Sequence, residues 1–316
     1  MIKLGIIMDP IESIKIKKDT SFAMMLEAQH RGYEIHYMEI NDIYLNKGEA
    51  RALTKIIFVE DNIKKWFNFY SEQDVALSDL NVILMRKDPP FNIEFIYATY
   101  ILERAEYAGS LVVNKPSSLR DCNEKLFTLW FSELIPNTLV TRDPNRLKDF
   151  YKKNGDIILK VLDKMGGMSI FRLKENDCNV DVIIETITKY GSRFCMAQKF
   201  LHSIKEGDKR VFIVDGKPIP YCLARIPANG ETRCNLAAGG YGEVRLLNKS
   251  DIMIANIVAP KLKEKGLFFA GLDIIGDKLT EINITSPTCV REIESEYNVF
   301  IIKKIMNSIE YYLKNI

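Results

Sequence analysis

The sequence predicts an α/β protein built in two parts: an N-terminal α/β domain with a small parallel sheet over residues 1–122, then a region of short strands and hairpins over 123–316. Three observations carry this. The apolar run "LGIIM" leads into a helix-period stretch and back into strand, a β-α-β opening that recurs once more before residue 115. After "NKPSSLRDCNEKL" the texture changes to short strands joined by tight turns. Finally, 316 residues with 47% hydrophobic and 27% charged content suit a soluble globular chain of two or three domains.

Each element has its own signal. Asp19-Thr20 opens a helix whose periodic positions are Phe22, Met25, Leu26 and Gln29; it stops at Gly32, and "YEIHYM" returns to strand. Residues 43–59 resemble a hairpin insertion. "NVILM" (81–85), the loop "RKDPPF", a helix over about 92–107, Gly109 and "SLVVN" repeat the unit. Strand ends near Asp9, Arg86 and Asn114 should cluster where open α/β sheets bind ligands. No GxGxxG follows the first strand, which disfavours a dinucleotide-dependent oxidoreductase. In the second part, strands are expected at 156–160, 169–173 and 194–201, as a hairpin over 209–226, and around Gly276-Asp277. Residues 226–243, rich in Gly and small side chains, read as a flexible lid; helices are expected at about 250–265 and from 298 onward.

Composition narrows the function classes. Lys+Arg 44 against Asp+Glu 42 leaves a net charge of +2, so bulk charge points to no nucleic-acid or membrane partner, while a small anionic ligand remains compatible. The apolar run at the N-terminus is too brief for a secretory segment and no stretch approaches a membrane span, so a cytoplasmic location is expected. The cysteines at 122, 178, 195, 222, 234 and 289 form no CxxC and do not group with His30, His36 and His202. Free buried thiols are expected, with Cys234 in its polar Gly-rich segment the exception.

Two stretches carry chemistry. In "GLDIIGDKLTEINITSPT" a two-residue turn would mix apolar and charged residues on both faces of the hairpin. A three-residue loop, 276–278, places Asp273 opposite Glu281 and Gly271 opposite Asn283, with Leu272 opposite Ile282 and Ala270 opposite Ile284 on the other face. Two carboxylates face to face call for a cation, and hard oxygen ligands suit Mg²⁺; the same residues also fit a solvated hairpin face. In "ILKVLDKMGGMSIFRL", Lys160 ends an apolar strand ahead of Gly166-Gly167, a pairing able to cradle phosphate through freed N–H groups and a strand-borne ammonium. It is not a P-loop, and alone it also fits a plain hairpin turn.

The order of Lys125, Lys160, "QKFL" at 198–201, Asp208, Arg210 and the 273/281/283 face resembles the ATP-grasp superfamily. "LMRKDPPF", "YILERAE", "VNKPSSLRDCNEKL", "MGGMSIFR", "GDKRVFIVDGKPIPYCLARIP", "GETRCNLAAGG" and "GLDIIGDKLTEINITSPTC" resemble the bacterial glutathione synthetases over nearly the whole chain. The resemblance implies an ATP-grasp fold in 123–316, two α+β subdomains clasping ATP. It implies ligation of γ-glutamylcysteine to glycine through an acyl phosphate, with ATP as co-substrate and Mg²⁺, or Mn²⁺ as the alternative. It implies nucleotide binding by Lys125, Lys160, Gly166, Gly167, Gln198, Lys199, Phe200, Leu201, Asp208 and Arg210, and metal binding by Asp273, Glu281 and Asn283. Arg86, Arg225, Asn283, Ser286, Pro287 and Thr288 are implied for the peptide, and Arg210, Arg225 and the lid's Arg233 for catalysis. The family commonly forms tetramers, which makes a homo-oligomer an implied partner state. Against the family pattern, Val161 and Lys164 stand where proline and glycine are usual, Cys234 where a glycine is usual, and Tyr241 where the lid commonly carries arginine. Another ATP-grasp carboxylate–amine ligase and a non-catalytic ATP-binding module are the competing readings.

Overall fold

The computed structural model describes residues 1–228 and 239–315. In the first part, β1 (Lys3–Ile7), α1 (Thr20–His30), β2 (Glu34–Met38), β3 (Ile43–Asn46), β4 (Glu49–Val59), β5 (Phe67–Ala76), β6 (Val82–Met85), α2 (Ile93–Tyr107), β7 (Leu111–Val113) and α3 (Pro116–Asp121) follow one another. Asp19 caps α1 by accepting from the Phe22 N–H at 2.6 Å, and Asn92 caps α2 through Phe95 at 3.0 Å, as their positions ahead of the periodic runs lead one to expect. The parallel strands β2-β1-β6-β7 are continued by antiparallel β3 and β4, with β5 paired to β4, into one 7-stranded sheet. Residues 43–59 form the expected hairpin, β3 against β4, and this hairpin extends the sheet. β5 escapes sequence reading because "FNFYSEQDVA" is an edge strand mostly exposed and polar beyond Phe67 and Phe69, which pack one face against the core.

The second part holds β8 (Thr138–Thr141), α4 (Pro144–Asn154), β9 (Ile157–Val161), β10 (Ile170–Leu173), α5 (Val180–Thr188) and β11 (Cys195–Lys199). These make a 4-stranded sheet, β10-β9-β11-β8, with Leu147, Ile184 and Ile187 of the two helices in its core. Neither helix is legible as such: α4 is charged and buries only Leu147, and α5 is a β-branched run, "VDVIIETIT", that reads as strand. Asp143-Pro144, N-cap and first helical position, is the one signal that could have found α4. Then β12 (Asp208–Val214), β13 (Lys217–Ile226), β14 (Tyr241–Leu246), α6 (Lys249–Glu264), β15 (Phe269–Ile275) and β16 (Lys278–Asn283) form a 5-stranded sheet, β14-β13-β12-β15-β16. α7 (Val290–Glu296) and α8 (Ile301–Leu313) close the chain. α8 returns to the first domain, where Glu310 meets Arg31 at 3.0 Å and the Tyr33 hydroxyl at 2.7 Å.

Of the strand ends expected at a ligand site, that of β6 leads to Asp88, which borders the cavity described below, whereas that of β7 docks the two parts together through Asn114. Asn114 donates to the carbonyls of Phe269 and Ile284 at 2.8 and 2.7 Å and accepts from the Phe269 N–H at 2.9 Å. Asp9 pairs with Lys87 at 2.6 Å.

Candidate functional site

The β15–β16 hairpin opposes Asp273 to Glu281 and Gly271 to Asn283, but by a different device from the expected three-residue loop. The turn is tight, with Ile275 opposite Lys278 and Gly276 at φ 61°. The register then slips between Asp273 and Ile274, where Thr280 is the extra residue. Its hydroxyl donates to the Asp273 carbonyl at 3.1 Å. A bulge thus restores the face separation that a two-residue turn alone would destroy.

The compensation of these carboxylates is also supplied differently. The two Asp273 oxygens take Arg210 Nε and NH2 at 2.5 and 2.9 Å, and Arg225 NH2 reaches the second oxygen at 2.9 Å. Burial alone would raise the Asp273 pKa, yet the two guanidiniums hold it well below the usual carboxylate range. Glu281 pairs with Lys125 Nζ at 2.8 Å. Burial opposes the Lys125 charge, but Glu281 and Glu124 raise its pKa above the usual value. Protein cations, not necessarily a metal, therefore answer the repulsion that the sequence poses.

A metal still has donors here. Glu281 engages Lys125 through one oxygen, and Asn283 spends its Nδ2 on the Gly271 carbonyl at 3.2 Å, which leaves Oε2 and Oδ1 without partners among the described residues. No group of three or more His, Cys, Asp or Glu side chains forms a cage among the described residues. Such a donor set suits a hard ion that takes the rest of its shell from water and phosphate oxygens.

These side chains line one cavity of about 420 Å³. Lys160, Gly166, Gly167, Gln198, Lys199, Phe200, Leu201, Asp208, Arg210, Arg225, Asp273, Glu281, Asn283, Ser286, Pro287 and Thr288 all border it. Lys160 makes no hydrogen bond or ion pair among the described residues, and burial lowers its pKa. Gly166 and Gly167 lie at φ 63° and 77°, conformations that glycine adopts without strain. Phe200 carries the Arg172 guanidinium 3.6 Å over its ring, held there by Asp156, and clusters with Ile204, Ile158 and Ile275. Asp208 receives Arg225 on Oδ2 at 2.5 Å while its Oδ1 is buried without a partner among the described residues; burial raises its pKa to about 6.

Two expected residues stand behind the wall. Lys125 reaches Glu281 and the Lys164 carbonyl, the latter at 2.6 Å, from outside the cavity lining. Arg86 is buried, and its guanidinium donates to Ser21 Oγ at 3.0 Å and to the carbonyls of Thr285 and Pro287 at 3.4 and 3.1 Å. Its fork therefore fixes the 285–288 loop rather than facing the cavity. Arg233 and Cys234, with the centre of the lid expected at 226–243, lie outside the described residues.

Two family models match: the prokaryotic glutathione synthetase N-terminal domain over residues 2–120 and the prokaryotic glutathione synthetase ATP-grasp domain over residues 124–298. The chain belongs to the prokaryotic glutathione synthetase family. It is 68% identical over 311 residues to the glutathione synthetase of Photorhabdus laumondii, and 67% identical over 310 residues to that of Escherichia coli strain K12. Each alignment covers 98% of both chains. Among solved structures, a D-cycloserine synthetase superposes with a TM-score of 0.69 at 12% identity, over 98% of this chain and 99% of that one. The D-alanyl-alanine synthetase A of Vibrio cholerae gives 0.60 at 12%, over 100% and 99%. An ATP-grasp ligase captured with a minimal precursor gives 0.63 at 17%, over 98% and 99%. These likenesses show the ATP-grasp fold.

Within this glutathione synthetase fold, sequence reading missed Asn123, Glu124, Asp88 and Arg172. Asn123 Nδ2 donates to the Leu162 carbonyl at 3.0 Å. Glu124 Oε1 accepts from the Ile284 and Thr285 N–H groups at 2.8 and 3.0 Å and from the Thr285 hydroxyl at 3.0 Å. The Glu124 carbonyl accepts from the Ile282 N–H at 2.9 Å. Asp88 and Glu124 both line the cavity. Asn123, Glu124 and Asp88 have partners far along the chain, so periodicity gave no signal for them.

Proposed function

We propose that this protein joins γ-glutamylcysteine to glycine at the expense of ATP. A cysteinyl carboxylate oxygen attacks the γ-phosphorus and ADP leaves; the glycine nitrogen attacks the acyl carbon, phosphate departs with the bonding pair, and the nitrogen gives up its proton. The observation that carries the reading is one cavity bordered at once by an ammonium unpaired among the described residues, a glycine turn, two guanidiniums and an acid–amide strand face. Phosphoryl transfer asks for this positioning and charge neutralisation more than for covalent help.

In this reading the apolar slot of Ile158, Phe200, Leu201 and Ile275 takes the adenine, and Asp208 borders the nucleotide beside it. Lys160 and the amides of the glycine turn hold the phosphates. Arg210 and Arg225 exchange Asp273 for the carboxylate and the departing phosphate. Glu281 and Asn283 would hold Mg²⁺ or Mn²⁺, joined by Asp273 once its arginines turn to substrate. When bound, that ion would neutralise charge between the phosphates. Thr288 offers a hydroxyl to the peptide, beside Pro287 and Ser286, whose own hydroxyl donates to Asp88.

We place the domain boundary at 122/123, supported by a first sheet complete at Val113 and a cavity made almost wholly by later residues. Unpaired cysteines at 122, 178, 195, 222 and 289 support work in a reducing compartment, the cytoplasm. The exposed stripe Ile93, Tyr97, Tyr100 and Tyr107 on α2 supports association between copies. Phosphate release measured with ATP, γ-glutamylcysteine and glycine, each omitted in turn, tests the function. Release must require all three, and a faster rate with another carboxylate–amine pair would transfer the assignment to that pair.

A further inference from the structure

The cavity is unevenly charged. Its described cations, Lys160, Arg172, Lys199, Arg210 and Arg225, all belong to the second part of the chain, and among the described residues the first domain reaches it through Asp88 and Pro89 alone. Asp88 is aimed from two sides: its N–H donates to Asp9 Oδ2 at 2.9 Å, and Ser286 Oγ donates to its Oδ1. Its other carboxylate oxygen has no hydrogen-bond partner among the described residues. The obvious counter-ion, Arg86, spends its donors on Ser21, Thr285 and Pro287. Burial accordingly pushes the Asp88 pKa up despite the lowering by Ser286, and Asp9 adds to the rise. A half-buried carboxylate that faces a substrate cavity and makes no ion pair among the described residues, with only the electrostatic lowering of Arg86 and Lys87 set against its burial, is complementary to a ligand that brings a cation.

The substrates assigned above bring two ammonium groups, that of glycine and the α-ammonium of the γ-glutamyl group. Glycine must reach the acyl phosphate, beside Lys160 and the hairpin face. Glu124, with Glu281 and Lys125 as its electrostatic neighbours, belongs to that end. The charged neighbours of Asp88 are Asp9, Asp19, Arg86 and Lys87, none on the hairpin. The γ-glutamyl ammonium, at the far end of the dipeptide from the reacting carboxylate, fits the Asp88 end. We propose that Asp88, held by Ser286, seats the α-ammonium of the γ-glutamyl group and so makes the enzyme select a γ-glutamyl peptide over other acylated cysteines. This rests on the function proposed above.

The test compares kcat and KM for γ-glutamylcysteine and for glutarylcysteine, which has hydrogen in place of the amino group, at saturating ATP and glycine. Wild type should prefer γ-glutamylcysteine roughly ten- to a hundredfold in kcat/KM, the range for a hydrogen bond to a charged group. Asp88→Asn should lose that preference through a raised KM for γ-glutamylcysteine, with glutarylcysteine turnover and ADP binding kept. Asp88→Glu should keep part of it. Ser286→Ala, which frees the carboxylate, should reduce the same ratio by a smaller factor and reads it even if Asp88→Asn folds poorly. A purely structural loss lowers both substrates together, so a wild-type ratio in Asp88→Asn, or in Ser286→Ala where the former does not fold, overturns the proposal. If wild type turns over neither substrate, the function reading falls and this one with it.

Discussion

Gly271 offers a clean steric probe of the site. It lies on β15 opposite Asn283, on the face of Asp273, and its backbone is not left-handed, so the one requirement of a side chain there is room. There is none: a Cβ would stand 2.7 Å from Arg210 Cδ, 3.2 Å from Arg210 Nε and 3.1 Å from Pro287 Cβ. Neither neighbour gives easily, since Arg210 is buried and bidentate on Asp273 while the Pro287 carbonyl is held by Arg86. Gly271→Ala should therefore cost about 1–3 kcal/mol by overpacking. At roughly 2–4 °C per kcal/mol for a chain approaching this size, Tm should fall by about 2–12 °C. Activity should suffer more, because the methyl is relieved by driving Arg210 off Asp273. Loss of its charge-assisted contacts in the transition state corresponds to roughly a ten- to hundredfold fall in kcat/KM. Steady-state kinetics on variant whose folding is verified by calorimetry decides the matter. Wild-type kcat/KM and Tm together would refute the idea that Arg210 is fixed by the space at Gly271.

Lys160→Met removes an ammonium that burial already disfavours, so stability should hold or rise while the KM for ATP rises roughly tenfold or more; nucleotide titration calorimetry checks it, and unchanged ATP affinity would remove Lys160 from the phosphate site. Asp208 titrates at about 6 in the folded chain against 3.8 for the free group, so the folded state binds the proton more tightly. Stability should fall as pH rises from about 4 to 6, and Asp208→Asn should flatten denaturation midpoints across that window. Asp273, shifted the other way, supports stability above its unfolded pKa and should lose that support only as pH drops below about 4. Glu281→Gln should fold normally yet need more Mg²⁺ for half-maximal rate, and chelation should abolish turnover in wild type; normal activity of the variant at limiting Mg²⁺ would take Glu281 out of the metal site.

Local chemistry made much of this molecule readable. Asp19 and Asn92 announce their helices, and the pairing of Asp273 with Glu281 follows from keeping Leu272 and Ile282 on one face. The means of that pairing was not readable, because a bulge at Thr280 and an added loop residue produce the same facing partners. Arg86 shows a second limit. A lone arginine at a strand end looks like a carboxylate receptor, but its actual acceptors, the Thr285 and Pro287 carbonyls, lie about two hundred residues away and leave no local trace. Helix α5 shows a third, where tertiary burial of Ile184 and Ile187 against a sheet overrides the strand preference of a β-branched run.

Residues 123–125 join parts of the site that are remote in sequence. Asn123 grips the Leu162 carbonyl just beyond β9, Glu124 grips the strand exit at 284–285, and Lys125 bridges the Lys164 carbonyl and Glu281. The arm that leads to the glycine turn and the strand that bears the acid–amide face are thus tied to one crossbar. Anything that draws Lys125 toward a phosphate loosens its hold on Glu281, and anything that neutralises Glu281 frees Lys125 to move. If the proposed nucleotide and metal sites hold, their affinities should be thermodynamically linked, each strengthening the other by the same factor whichever ligand arrives first.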